Sequence, residues 1–114
     1  MTRIRPWAVL VVALLATACG RNPVLGDWEI DRDENGRGVL LAAEATDLAT
    51  LSLRASSITA KDTEIPVTWS VEGDVARAVR ADGRGEHRIE LLPDGRIRAE
   101  LPIGVTAVYR RAGS

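Results

Sequence analysis

One segment of the chain carries acidic side chains at the spacing of a calcium loop. Asp31, Asp33 and Asn35 alternate and are followed by a glycine, which is the first half of the pattern D-x-D-x-N-G. Oxygen ligands at alternate positions can wrap around a hard cation. The second half is missing, because Ala42 stands where a bidentate carboxylate is needed, and Arg32 would repel a cation. We therefore expect a solvated connection, with a calcium site as the weaker alternative, and no cofactor.

Nucleophiles and general bases are too few for an enzyme. His87 is the single histidine, and one His with one Cys cannot form a structural zinc site or a catalytic triad. Ser56, Ser57 and Ser70 do not stand in G-x-S-x-G or S-x-x-K settings. We predict that the protein is not an enzyme and that His87 is a partly buried strand residue.

The first 18 residues have the composition of an export signal. Arg3 and Arg5 precede an apolar run from Trp7 to Ala18. As a helix, the twelve residues of this run would rise about 18 Å, which is too short for a bilayer core of roughly 30 Å. The sequence therefore predicts a signal peptide at residues 1–18 rather than a membrane span.

The end of this run resembles the lipobox of bacterial lipoproteins. Small residues stand directly before Cys19, in the order Leu15-Ala16-Thr17-Ala18, and Gly20 follows. The resemblance implies that Cys19 becomes the new amino terminus, carries diacylglycerol on its sulfur, and is followed by a short tether to residue 23. Because residue 20 is not aspartate, it also implies sorting to the periplasmic face of the outer membrane. The alternative is an ordinary cleaved signal with a cysteine near the cut.

Charge and length limit the class of partner. The chain has 114 residues, 15 of them basic and 16 acidic, and a formal net charge of −1. Removal of residues 1–18, which contain two arginines and no acidic residue, leaves a net charge of −3. A mature domain without a basic excess is not expected to bind nucleic acid. A piece of this size is one small domain, and its single cysteine cannot form an intramolecular disulfide.

Residues 24–111 alternate short apolar runs with turn signals, which is the pattern of an all-β meander. Eight strands are predicted, and Pro93-Asp94-Gly95 is the strongest turn between them. Eight antiparallel strands in sequence order remove their exposed edges best by closing into a barrel. The predicted fold class is therefore all-β, an eight-stranded antiparallel up-and-down meander closing into a small barrel at 24–111, with a tail at 112–114.

A short helix at 39–49 is predicted between the first two strands. The segment is rich in Leu, Ala and Glu, and Leu41, Ala45 and Leu48 fall at helical spacing. We expect this stripe to close one mouth of the barrel. An eight-stranded barrel is only just wide enough for side chains to fill it. The lumen should therefore exclude a long acyl chain and admit at most a short apolar group.

Gly26-Asp27-Trp28 at the start of the first strand has the G-x-W form of the lipocalins. Arg110 and Arg111 resemble the strand-end arginine that packs over the tryptophan in that family. The resemblance implies a lipocalin-like barrel in which Trp28 is buried and stacks with Arg111 or, failing that, with Arg110. The helix is placed more like that of fatty-acid-binding proteins, and the chain is shorter than typical ligand carriers.

Three residues form the candidate ligand-binding set. Strict alternation with Val75 and Val79 points Arg77 inward, where its guanidinium could bind a carboxylate. A bulge or a place at the barrel rim is the alternative for Arg77. Trp69 and Tyr109 share the predicted inner face.

The sequence predicts a lipid-anchored binding or interaction module that faces the periplasm, with an envelope protein or a small apolar ligand as its partner. The alternatives are a lipocalin-like carrier of a small apolar ligand and a periplasmic inhibitor that resembles lipid-anchored lysozyme inhibitors. Those inhibitors carry a cysteine pair and a basic loop, neither of which can be identified here. An apolar lumen above roughly 300 Å³ would favour the carrier, and a filled barrel with a protruding loop would favour the inhibitor.

Overall fold

The computed structural model describes residues 22–101 and 104–113, which form a closed barrel of eight antiparallel strands in chain order. The strands are β1 (Gly26–Ile30), β2 (Thr50–Leu53), β3 (Ser57–Ala60), β4 (Thr63–Glu72), β5 (Val75–Arg80), β6 (Glu86–Leu91), β7 (Ile97–Glu100) and β8 (Thr106–Arg111). One helix, α1 (Arg37–Ala45), joins β1 to β2. Pairing of β1 with β8 closes the barrel, and the predicted fold class is confirmed. The predicted signal peptide and Cys19 lie outside the described residues.

The up-and-down order gives the barrel two different ends. At the terminal end lie the start of β1, the end of β8 and the β2–β3, β4–β5 and β6–β7 turns. At the helix end lie α1 and the β3–β4, β5–β6 and β7–β8 connections. The β6–β7 turn is the one that the sequence predicted most strongly, and Gly95 there has a φ of 91°, which glycine adopts at little cost.

The lumen is lined by alternate residues of the strands, and bulky side chains there meet small ones. Trp69 on β4 lies opposite Ala78 on β5, and Val71 lies opposite Ala76. Both alanines are almost fully buried, with 0% and 1% exposure. Large side chains of β4 thus meet small ones of β5 in the interior, where side chains are close-packed. The inner row of β5 is therefore its alanine row, and the valines beside it face outward or lie half-buried.

The helix packs through a face that differs from the predicted one. Ala43 is fully buried, and Val39 and Leu40 pack partly buried against the core. Leu41 is 58% exposed, so the predicted stripe of Leu41, Ala45 and Leu48 is wrong. The helix also ends at Ala45 instead of residue 49. It contacts β8, and it therefore covers one side of the helix end while the side of β3 to β6 stays open.

Candidate functional site

The terminal end is sealed by a tryptophan with an arginine over its ring. Trp28 is 1% exposed, and its indole Nε1 donates a hydrogen bond of 2.8 Å to the carbonyl oxygen of Val24. The guanidinium carbon of Arg111 lies 4.2 Å from the centre of the Trp28 ring. This distance is within the range of a cation–π interaction. The stacking that the G-x-W resemblance implied for Arg111 is present.

Arg111 also fixes the place at which the chain enters the barrel. Its Nη1 donates to the carbonyl oxygen of Leu25 at 2.7 Å, and its Nη2 donates to that of Pro23 at 3.0 Å. Arg110 points the other way and forms an ion pair with Glu29 at 3.1 Å. Only Arg111 of the two candidate arginines is therefore part of the seal.

Gly26 is required at the same point, because Arg111 passes directly over it. A Cβ placed on Gly26 would overlap Nη1 of Arg111. The residue also has a φ of 135°, a backbone conformation that residues with a side chain rarely adopt. The glycine and the tryptophan of the G-x-W motif are thus explained by one arginine.

Substitution of Gly26 by alanine should destabilise the barrel. We expect Gly26→Ala to lower the free energy of unfolding by about 1 to 3 kcal/mol from backbone strain alone, with displacement of Arg111 added to it. Gly38→Ala is the matched control, since Gly38 lies within α1 and a Cβ there meets nothing within 4 Å. That control should be neutral or stabilising. Urea denaturation followed by tryptophan fluorescence measures both, and equal effects would contradict the assignment.

The segment that was the weaker candidate for a calcium loop is held by an arginine of the chain itself. Oδ1 of Asp31 accepts hydrogen bonds from the backbone N–H groups of Asp33 and Glu34 at 3.0 and 3.2 Å. Oδ2 of Asp31 pairs with Nη1 of Arg96 at 3.1 Å. Burial acts to raise the pKa of the Asp31 carboxyl, but the bonds from Arg96 and from the two backbone groups outweigh it, so the pKa is lowered. A guanidinium thus stands where the weaker alternative would place a calcium ion.

The third predicted ligand of that loop is also engaged. Nδ2 of Asn35 donates to the carbonyl oxygens of Asp31 and Val108 at 2.6 and 2.8 Å, and its Oδ1 accepts from the Val108 N–H at 2.9 Å. The amide of Asn35 therefore pairs with β8 as a strand backbone would. Within residues 22–101 and 104–113, no group of three or more His, Cys, Asp or Glu residues is placed to hold a metal ion.

Arg77 lies on the outer face of the barrel. Its side chain is 48% exposed and pairs with Glu86 at 3.4 Å. The inward orientation that alternation predicted is wrong, because the period of a strand does not say which of its two rows faces the core. Here the alanine row fits beside Trp69, and Arg77 therefore points into solvent.

The other two candidate ligand residues bind the chain itself. Tyr109 is fully buried, and its hydroxyl donates a hydrogen bond of 2.6 Å to the carbonyl oxygen of Leu48. Burial raises the pKa of this hydroxyl well above its ordinary value. Trp69 is half-buried, and its Nε1 donates to the carbonyl oxygen of Arg54 at 2.7 Å. Both polar groups are satisfied by the barrel, so we assign Tyr109 and Trp69 to its structure.

A cavity of about 130 Å³ occupies the lumen at the helix end and is partly open to solvent. Its walls are aliphatic side chains from five strands, among them Leu51, Ala60, Ile65, Ile89 and Leu101. This volume is below the roughly 300 Å³ that would favour a lipocalin-like carrier. The cavity fits the expectation of a tight lumen that admits a short apolar group.

Four polar side chains line this cavity at its mouth: Arg80, His87, Arg88 and Glu100. Arg80 makes two hydrogen bonds to Asp82, from Nε at 3.2 Å and from Nη2 at 3.0 Å. His87 is half-buried, as the sequence predicted. Burial, and then the charge of Arg80, lower the pKa of the His87 imidazole. Both effects favour the neutral form of the imidazole.

Sequence reasoning missed Arg80, although a signal for it exists. By alternation along β5, Arg80 lies on the same face of the strand as Ala76 and Ala78, and Arg77 lies on the other face. Small residues at every second position of a strand, next to a predicted strand that contains a tryptophan, indicate the face that packs in the interior. Arg80, at the end of β5, lies on that face. The arginine near the lumen is thus the one that ends the strand.

No protein-family profile matches the chain, and no curated protein or solved structure matches it either. Among the described residues, no helix has the length and apolar character needed to cross a bilayer.

Proposed function

We propose that the chain is a lipid-anchored module of the cell envelope that binds a small apolar group in its barrel, without catalysis. The partly open aliphatic cavity at the helix end is the observation that carries the proposal. Its volume of about 130 Å³ is close to the roughly 150 Å³ of an apolar protein cavity that binds benzene. The ligand is therefore a short chain or a single ring rather than a long acyl chain. The protein-inhibitor alternative stays a prediction.

The lipid anchor in this proposal rests on the sequence around Cys19. The fold supports a definite orientation of the barrel relative to that anchor. Arg111 binds the carbonyl oxygens of Pro23 and Leu25 at the terminal end. From Cys19 to Pro23 the chain spans at most about 14 Å. A lipid on Cys19 would therefore hold the terminal end against the periplasmic face of the outer membrane. The cavity opens at the opposite end, so its ligand would come from the periplasm and not from that bilayer.

Filling the cavity tests the proposal. The full-length chain in nanodiscs should bind hexan-1-ol saturably in calorimetric titration, with empty nanodiscs as the blank. Ala60→Leu should weaken this binding at least about tenfold, because the added side chain displaces two or three methylene groups of the ligand. Ala45→Leu is the matched control, since it adds the same atoms on an exposed position of α1. Absence of saturable binding to the unmodified chain, or equal loss in both variants, would contradict the proposal.

A further inference from the structure

The apolar cavity meets a polar pocket at the helix end. This outer pocket, of about 350 Å³, adjoins the cavity and shares five lining residues with it, namely Arg80, His87, Arg88, Glu100 and Leu101. Ala78 pairs with His87 across β5 and β6, and Arg80 is the next inner position of β5 toward the helix end. The two residues therefore stand where the apolar lumen ends and solvent begins.

The charges around this boundary favour an anion. Arg84 and Arg88 also line the outer pocket, and neither forms an ion pair with a carboxylate of the described ranges. Among the acidic groups nearby, Glu86 is engaged by Arg77 and Asp82 by Arg80. Glu100 remains, and it lies across from Arg88 in the strand register. The boundary therefore carries a small positive excess.

Arg80 has donor capacity left for a ligand. Its contacts with Asp82 use Nε and Nη2, and its Nη1 has no hydrogen-bond partner among the described residues. The side chain is 27% exposed, which leaves it partly desolvated at the mouth. Charge-assisted hydrogen bonds are stronger in such a setting than in open water.

We propose that the ligand of the cavity is a short-chain carboxylate whose tail fills the apolar lumen and whose head lies against Arg80 and His87. This inference rests on the proposed function and adds the chemistry of the head group. A guanidinium matches the planar geometry of a carboxylate. An alcohol of the same chain length accepts fewer of these bonds, and an ammonium head is disfavoured by the small positive excess of the mouth.

Four probes distinguish the contribution of the ligand's head group to the affinity from that of its tail. Hexanoate, hexan-1-ol, hexylammonium and acetate are titrated into the full-length chain in nanodiscs, with empty nanodiscs as the blank. Hexanoate should bind about tenfold tighter than hexan-1-ol, because a hydrogen bond to a charged group adds to the burial of the tail. Hexylammonium should bind more weakly than hexan-1-ol, and acetate should show no saturable binding.

Two variants on one strand locate the contact. Arg80→Gln should weaken hexanoate about tenfold and leave hexan-1-ol unchanged. Arg77→Gln is the matched control, since Arg77 lies on the same strand and faces outward, and it should change neither ligand. His87 is the only histidine of the chain, so its imidazole proton signals report on the mouth without further labelling. Hexanoate should raise the pKa of His87, and hexan-1-ol should not.

The outcomes distinguish the two proposals. If hexanoate and hexan-1-ol bind equally and Arg80→Gln affects neither, the head-group assignment is overturned and the apolar site stands. If neither hexyl probe binds saturably, the proposed function itself is overturned. Should Arg80→Gln fail to fold, the four-probe comparison and the His87 titration on the unmodified chain still decide the question.

Discussion

Trp28→Ala should lower the free energy of unfolding by about 3 to 5 kcal/mol, as loss of a buried aromatic ring does in other cores. Trp28 is 1% exposed and lies in the lumen under Arg111. The substitution also leaves the Val24 carbonyl without its hydrogen bond from the indole. Chemical denaturation of the full-length chain measures the loss, and a change below about 1 kcal/mol would contradict the seal at the terminal end.

The contribution of the arginine is separable from that of the ring. Arg111→Gln removes the stacking, which is worth about 0.5 to 2 kcal/mol, together with the bonds to the entering chain. Arg110→Gln is the matched control, because it removes a half-exposed ion pair with Glu29, and ion pairs near the surface are worth about 1 kcal/mol or less. A double-mutant cycle of Trp28→Ala with Arg111→Gln should show coupling, and the same cycle with Arg110→Gln should not. Equal coupling in both cycles would refute the pairing of Trp28 with Arg111.

Cys19→Ala should abolish lipid labelling completely. The lipobox resemblance makes the Cys19 sulfur the acceptor of the diacyl group, and the chain has no second cysteine that could replace it. Metabolic labelling with palmitate, followed by immunoprecipitation, compares the variant with the unmodified chain. Equal label in the two proteins would refute the anchor and, with it, the orientation of the barrel toward the membrane.

A neighbouring substitution separates attachment from sorting. Gly20→Asp keeps the cysteine, so the palmitate label should be unchanged. The resemblance to proteobacterial lipoproteins implies that aspartate at this position alters the sorting, and the labelled protein should therefore leave the outer-membrane fraction. Loss of label in Gly20→Asp would show that the variant is defective in processing and unsuitable as a sorting control.

Stability and binding are assigned to opposite ends of the barrel. The seal uses Gly26, Trp28 and Arg111, which come from the first and last strands. The mouth uses Arg80 and His87, which come from the middle of the meander. Arg111→Gln should therefore leave the affinity for hexan-1-ol unchanged in molecules that remain folded.

Local sequence pattern predicted the fold class and one contact at the terminal end of the barrel. Alternation of period two, with turn signals between the runs, predicted eight strands in an up-and-down order, because side chains on a strand point to alternate faces. The G-x-W motif with a strand-end arginine predicted the stacking of Trp28 with Arg111. The position of His87 near the barrel end followed from the same alternation. The fold class and the position of His87 depend on spacing within a strand, which the sequence contains directly, whereas the stacking was implied by the resemblance to lipocalins.

Only the tertiary structure decided which row of β5 faces the core and which basic residue of that strand reaches the lumen. Alternation with Val75 and Val79 predicted the valine row as the inner one, because valine is the more hydrophobic residue, and the strand by itself contained nothing to correct that choice. In the barrel, Trp69 and Val71 of the neighbouring strand pair with Ala78 and Ala76, and both alanines are buried. In the same way, Arg96 pairs with Asp31 although the two residues are 65 positions apart in the sequence. No residue pattern within the loop predicts this ion pair. These contacts were decided by the closed barrel because packing volume and ion pairing act between strands, whereas sequence patterns report on one strand at a time.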